Sequence, residues 1–137
     1  MLVDTRLDLR PDTAELARLV DGIEAFAAAN GLDAATAGRL TLALDEVVTN
    51  AIEYGGLPGD ASITVELALD GPDIVATVSD PGPAFDPLAD APTVDIDAAL
   101  DDRAPGGLGL FIVRTIAREL AYAREGGLNR LTLRLAT

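Results

Sequence analysis

The 137-residue sequence predicts an α+β fold, a two-layer sandwich of a mostly antiparallel mixed sheet with helices on one face. Three observations carry this expectation. Two pairs of alternating apolar segments are each separated by a short glycine-bearing turn, so each pair reads as a hairpin. Two long segments of helical periodicity precede the first pair. Strands and helices do not alternate regularly, as a doubly wound parallel sheet would need. The length suits one domain, residues 1–137, with a lid at 86–105 inside it.

Each element has a local reason. Leu7 and Leu9 alternate with Asp8 and Arg10, which predicts a first strand over residues 2–10. Pro11 ends it. Asp12 or Thr13 can cap the first helix, whose apolar stripe is Leu16, Leu19, Val20, Ile23 and Phe26 before the stop at Asn30-Gly31. A second helix follows Asp33 or Thr36. Leu40, Leu44, Val47, Val48, Ala51 and Ile52 form its broad apolar face, and Gly55-Gly56 ends it. Ile63, Val65, Leu67 and Leu69 alternate as a strand, and residues 74–79 return beyond the Gly71-Pro72-Asp73 turn. Residues 80–107 are rich in proline and aspartate, with room for a short helix near 95–102. Such a loop inside a compact domain reads as a lid or a binding loop. The pattern turns helical again over 108–120, then reads as strands at 122–124 and 129–136 around Glu125-Gly126-Gly127.

Composition narrows the chemistry. With 23 acidic and 10 basic residues the net charge is −13, which opposes binding to nucleic-acid backbones or anionic membranes. The basic residues are all arginine. There is no cysteine, histidine or lysine, which excludes thiol nucleophiles, zinc–thiolate sites, imidazole bases, phosphohistidine and Schiff bases. Carboxylates, amides, hydroxyls, arginine, backbone N–H groups and a hard cation such as Mg²⁺ remain. The charged N-terminal stretch is no signal-peptide core and no apolar run is long enough to span a bilayer, so a cytoplasmic location is expected.

Three motifs can carry that chemistry. Glu46 and Asn50 are four residues apart on the second helix and so share a face. A carboxylate there can act as a base beside an amide ligand for Mg²⁺, a cation that prefers oxygen donors; an exposed polar stripe would have the same spacing. Asp80 ends a strand at Asp80-Pro81-Gly82-Pro83, where its carboxylate can accept from a purine amino group. Gly82 would let the backbone approach a flat ring, although a simple proline-rich turn also fits. Gly106, Gly107 and Gly109 open the third helix, where free N–H groups and the helix dipole suit phosphate, or they form only a hinge. The Walker and dinucleotide spacings are absent. Arg103 is the local cation for phosphate, unless it only offsets Asp101 and Asp102.

Together these motifs resemble the histidine-kinase-like (GHKL, or Bergerat) ATPase domains, and within them the anti-sigma-factor serine/threonine kinases of partner-switching systems. Residues 42–53 match the family's N box and residues 80–87 its first glycine box. Residues 106–114 match the second glycine box, and the tail 126–133 is similar as well. The resemblance implies a Bergerat-type sandwich that binds ATP with Mg²⁺. It implies Glu46 as the base for the attacking hydroxyl, Asn50 as the Mg²⁺ ligand and Asp80 as the adenine contact, helped by the Thr132 hydroxyl. Gly82 would lie against the adenine, with Gly106, Gly107 and Gly109 at the triphosphate. The implied activity is phosphorylation of a small anti-anti-sigma-like protein, with a sigma factor as a further partner; a homodimer is compatible with it. The alternative is a non-catalytic nucleotide-dependent module that sequesters a protein partner. Tyr54 departs from the histidine that many relatives carry there, and a sensor histidine kinase is excluded because no histidine exists to be phosphorylated.

Overall fold

The computed structural model describes residues 4–87 and 107–137. Of the lid expected at 86–105, residues 88–105 lie outside the described residues, as do the short helix expected near 95–102, Arg103 and Gly106. The order is β1 (Thr5–Leu9), a 3-10 turn (Thr13–Glu15), α1 (Leu16–Ala29), α2 (Ala34–Tyr54), β2 (Ile63–Asp70), β3 (Asp73–Asp80), α3 (Gly107–Ile116), β4 (Glu119–Glu125) and β5 (Leu128–Ala136).

The five strands form one sheet in the order β1-β2-β3-β5-β4, and each neighbouring pair is antiparallel. This bears out the mostly antiparallel sheet expected from the two hairpins. In the second hairpin Gly126 and Gly127 adopt φ of 56° and 77°, the double positive-φ pattern of a type I′ turn, whose twist matches that of the strands. β5 returns from that turn to pair with β3, which leaves β4 at the edge.

Alternation sorts the side chains. Leu9, Ile63, Val65, Leu67, Ile74, Ala76, Val78, Leu131, Leu133 and Leu135 are buried on one face, in one core with Leu19, Ile23, Phe26, Leu40, Leu44 and Val48 of α1 and α2. The other face is more polar, with Arg6 across from Glu66 and Thr77 across from Thr132, around a buried Ala68–Val75 pair. Asp33 caps α2, its Oδ1 accepting from the Thr36 N–H at 2.8 Å, and Asp12 caps the 3-10 turn in the same way through Ala14 at 2.9 Å. α3 joins the core through fully buried Val113.

One boundary differs from the expectation. Residues 108–120 carry helical spacing, yet α3 ends at Ile116 and β4 begins at Glu119. The Arg118 N–H donates to the Arg134 carbonyl at 2.8 Å, and Leu120 pairs with Leu133 and Tyr122 with Leu131. Leu120 fits a helical step from Ile116 as well as alternation with Tyr122. Pairing to β5 decides between the two, because it satisfies backbone groups and half-buries both side chains.

Candidate functional site

Asp80 is the last residue of β3, a central strand, and its side chain points to the helix face of the sheet in register with Asn129 of β5. Both are almost fully enclosed, at 8% and 5% exposure. The Asp80 Oδ1 accepts from the Gly82 N–H at 2.9 Å and from Asn129 Nδ2 at 3.0 Å. Neither bond uses Oδ2. Asp80 lines a pocket with Val47 and Ala51 of α2, Val78, Phe85, Tyr122, Asn129 and Leu131. The pocket is mostly apolar with one convergent carboxylate, the composition of a small-ligand site.

The loop that closes this pocket is tightly held. Arg124 donates to the Gly82 carbonyl at 2.6 Å, and the Phe85 N–H donates to Asn129 Oδ1 at 3.0 Å. Gly82 is buried, and packing supplies a reason of its own for glycine there. A Cβ at Gly82 would lie 2.6 Å from Leu57 Cδ2 and 2.9 Å from the Gly55 carbonyl oxygen, so the missing side chain makes room for the end of α2. Gly82→Ala should push the loop off α2 and cost roughly 1–3 kcal/mol of stability, the scale of overpacking at a tight contact, which a denaturant melt measures.

Glu46 and Asn50 stand on the stretch of α2 that supplies Val47 and Ala51 to the pocket. Asn50 is 1% exposed, and neither its Oδ1 nor its Nδ2 has a hydrogen-bond partner among the described residues. Enclosed amides are nearly always satisfied, so an orphaned one asks for a partner that the described residues do not supply. Its carbonyl oxygen is a hard donor of the type Mg²⁺ takes, and phosphates and water complete such a shell where protein ligands are few. Among the described residues no group of three or more His, Cys, Asp or Glu could hold a metal, and the orphaned Asn50 oxygen fits a cation whose remaining shell is phosphate and water. Glu46 is half-buried. Burial raises its pKa above the ordinary glutamate value, and the neighbouring charges of Asp45 and Glu53 push the same way.

A family model described as "Histidine kinase-like ATPase domain" matches residues 9–135. The chain belongs to this family of histidine kinase-like ATPase domains. It is also 36% identical over 95 residues to "Serine/threonine-protein kinase BtrW" of Bordetella bronchiseptica, a match covering 69% of this chain and 66% of that protein, just under two thirds of its length. Its fold is that of the structure titled "The crystal structure of the RsbU and RsbW domains of Rv1364c from Mycobacterium tuberculosis", with TM-score 0.68 and 19% identity. That likeness covers 96% of this chain and 31% of the other.

Within this ATPase domain the expected residues divide. Asp80 and the loop after it border the pocket, and Glu46 and Asn50 each precede an α2 residue, Val47 and Ala51, that lines it. Gly107 and Gly109 lie in the first turn of α3. Thr132 is not brought to Asp80. It lies opposite Thr77, whereas Asp80 lies opposite Asn129, and strand alternation sends the two positions to opposite faces of the sheet. Asn129, three residues earlier and on the pocket side, occupies the place expected of Thr132. The signal for it was available: Leu131, Leu133 and Leu135 define the buried face of β5, and Asn129 continues that series. Tyr122 falls in the strand read at 122–124, but its alternation with Leu120 is masked by the helical spacing of 108–120.

Proposed function

We propose that this chain is an anti-sigma-factor-like serine/threonine protein kinase that binds Mg·ATP and phosphorylates a small anti-anti-sigma-like protein in a partner-switching system. The observation that carries the proposal is the pairing of two features on one helix. An enclosed, unsatisfied amide (Asn50) lies one turn from a desolvated carboxylate (Glu46), beside a pocket that ends in Asp80. Family membership and the likeness to BtrW support the same reading.

In this reading the Asp80 carboxylate accepts from the adenine amino group in the apolar pocket. Asn50 Oδ1 would hold Mg²⁺, which when bound would offset the charge of the triphosphate. The N–H groups at Gly106, Gly107 and Gly109, together with Arg103, hold phosphate oxygens. Glu46 takes the proton of the substrate hydroxyl as its oxygen bonds to the γ-phosphorus. The bond from the γ-phosphorus to the bridging oxygen breaks and ADP leaves. A raised pKa suits this task, because a base closer to neutrality holds a proton more firmly once it has taken it. The acidic surface and the lack of a described helix long and apolar enough to cross a membrane fit a cytoplasmic protein that engages other proteins, and a homodimer is compatible with this reading.

The test is phosphoryl transfer. The purified chain is mixed with Mg²⁺, γ-labelled ATP and small anti-anti-sigma-like proteins from the same genome. Label on a serine or threonine of one of them is expected. Tight Mg·ATP binding with no label on any of them would make the chain a nucleotide-dependent binding module instead.

A further inference from the structure

The Asn129 side chain sits at the centre of the closing loop, and its orientation is fixed by its partners. The Phe85 N–H can only donate, and it meets Oδ1 at 3.0 Å; the Tyr122 hydroxyl meets the same oxygen at 2.6 Å. Nδ2 faces groups that accept, Asp80 Oδ1 at 3.0 Å and the Pro83 carbonyl at 2.8 Å. A flipped amide would set N–H against N–H and oxygen against oxygen. Two donors and two lone pairs are what an amide side chain has, and here the protein occupies all four. Asn129 therefore has nothing left to offer a ligand directly, although it lines the pocket.

We infer that Asn129, oriented by the Tyr122 hydroxyl, is a positioning residue for base selection: it holds Asp80 through Oδ1 so that Oδ2 meets the amino group of adenine. The inference rests on the reading of Asp80 as the adenine contact. With the Gly82 N–H and Asn129 Nδ2 both on Oδ1, the carboxylate cannot rotate about its last bond without breaking two hydrogen bonds in an enclosed setting. An acceptor locked in place favours a base with an exocyclic amino group and disfavours hypoxanthine, which presents a carbonyl oxygen there. The same amide ties β5 to Pro83 and Phe85, so one residue sets both the carboxylate and the pocket wall. Tyr122 lies in register with Leu131 on the edge strand, and its hydroxyl reaches Asn129 across the hairpin.

The test compares Mg·ADP with Mg·IDP by titration calorimetry. The wild type should prefer ADP. Asn129→Leu keeps roughly the volume and removes the hydrogen bonds; it should bring the ADP/IDP affinity ratio down by about tenfold, the scale of one hydrogen bond to a charged group. Tyr122→Phe should lower the ratio by a smaller factor, about threefold. A variant that only loses folded molecules loses both nucleotides alike, so the ratio isolates positioning from stability. If Asn129→Leu does not fold, Tyr122→Phe decides. A wild-type ratio in the folded variants overturns the inference. Asp80→Asn separates the two levels. A ratio that falls there but not in the other variants refutes the positioning role alone, and a ratio unchanged in Asp80→Asn removes Asp80 from base recognition altogether.

Discussion

Replacing Asp80 by alanine is expected to lower Mg·ADP affinity on the order of a hundredfold. Two losses combine. The first is the acceptor proposed for the adenine amino group; a hydrogen bond to a charged partner is worth about 1.5–3 kcal/mol, or roughly ten- to 150-fold in affinity. The second is internal. Asp80 Oδ1 holds the Gly82 N–H and one Asn129 N–H, and both donors would be left in an enclosed site. The loop from Gly82 to Phe85, which lines the pocket through Phe85, would then loosen. Calorimetric titration of Mg·ADP checks the binding, and a denaturant melt should show an accompanying stability loss of about 1–3 kcal/mol. Undiminished ADP affinity would mean that the nucleotide seats its base elsewhere.

Glu46→Gln should separate chemistry from binding and from stability. Losing a general base costs about 10²–10⁴ in transfer rate. The amide keeps the shape of the glutamate, so Mg·ADP affinity should stay within about twofold, well under the 1.4 kcal/mol that a tenfold change represents. Stability should move the other way from most substitutions. The pKa of Glu46 is raised in the folded protein, chiefly by burial and then by Asp45 and Glu53, so the folded state binds this proton more tightly than the unfolded chain. Between the ordinary glutamate value and the raised one, stability therefore falls as pH rises. At neutral pH the wild type bears the cost of that buried charge, and Glu46→Gln should melt at the same temperature or higher. The same shift sets the pH profile of transfer. A base works when deprotonated, so the rate of the wild type should fall with acid at a higher pH than an unperturbed glutamate would give. A Glu46→Gln protein that transfers phosphate at the wild-type rate would exclude Glu46 as the base.

Much of the architecture is legible in residue patterns, because apolar periodicity is a local property that survives without coordinates. The alternation of Ile63, Val65, Leu67 and Leu69, the stripe from Leu40 to Ile52 and the turn glycines at 126–127 each give their element directly, and two hairpins imply an antiparallel sheet. The candidate site was legible where a motif falls on a clearly patterned element: Asp80 ends β3, and Glu46 and Asn50 stand four apart on α2. Asn50 shows the limit of that reading: spacing puts it on the face of Glu46, but only packing leaves its amide enclosed without a partner.

Three matters needed the tertiary structure, and each has a physical reason. Leu120 satisfies two periodicities at once, so the end of α3 depends on whether residues 118–122 find a strand to pair with, and β5 provides it. The glycine at position 82 depends on how closely the end of α2 approaches, which no local pattern records. Asn129 and Thr132 differ by three residues on one strand. Because side chains alternate with a period of two, an odd step reverses the face, and with it the difference between a residue that holds the pocket carboxylate and one that lies behind the sheet. Composition, element order and the nucleotide-type motifs belong to the sequence alone. The partners of each polar side chain belong to the fold, since hydrogen bonds between residues 80, 122 and 129 join segments that only strand pairing brings together.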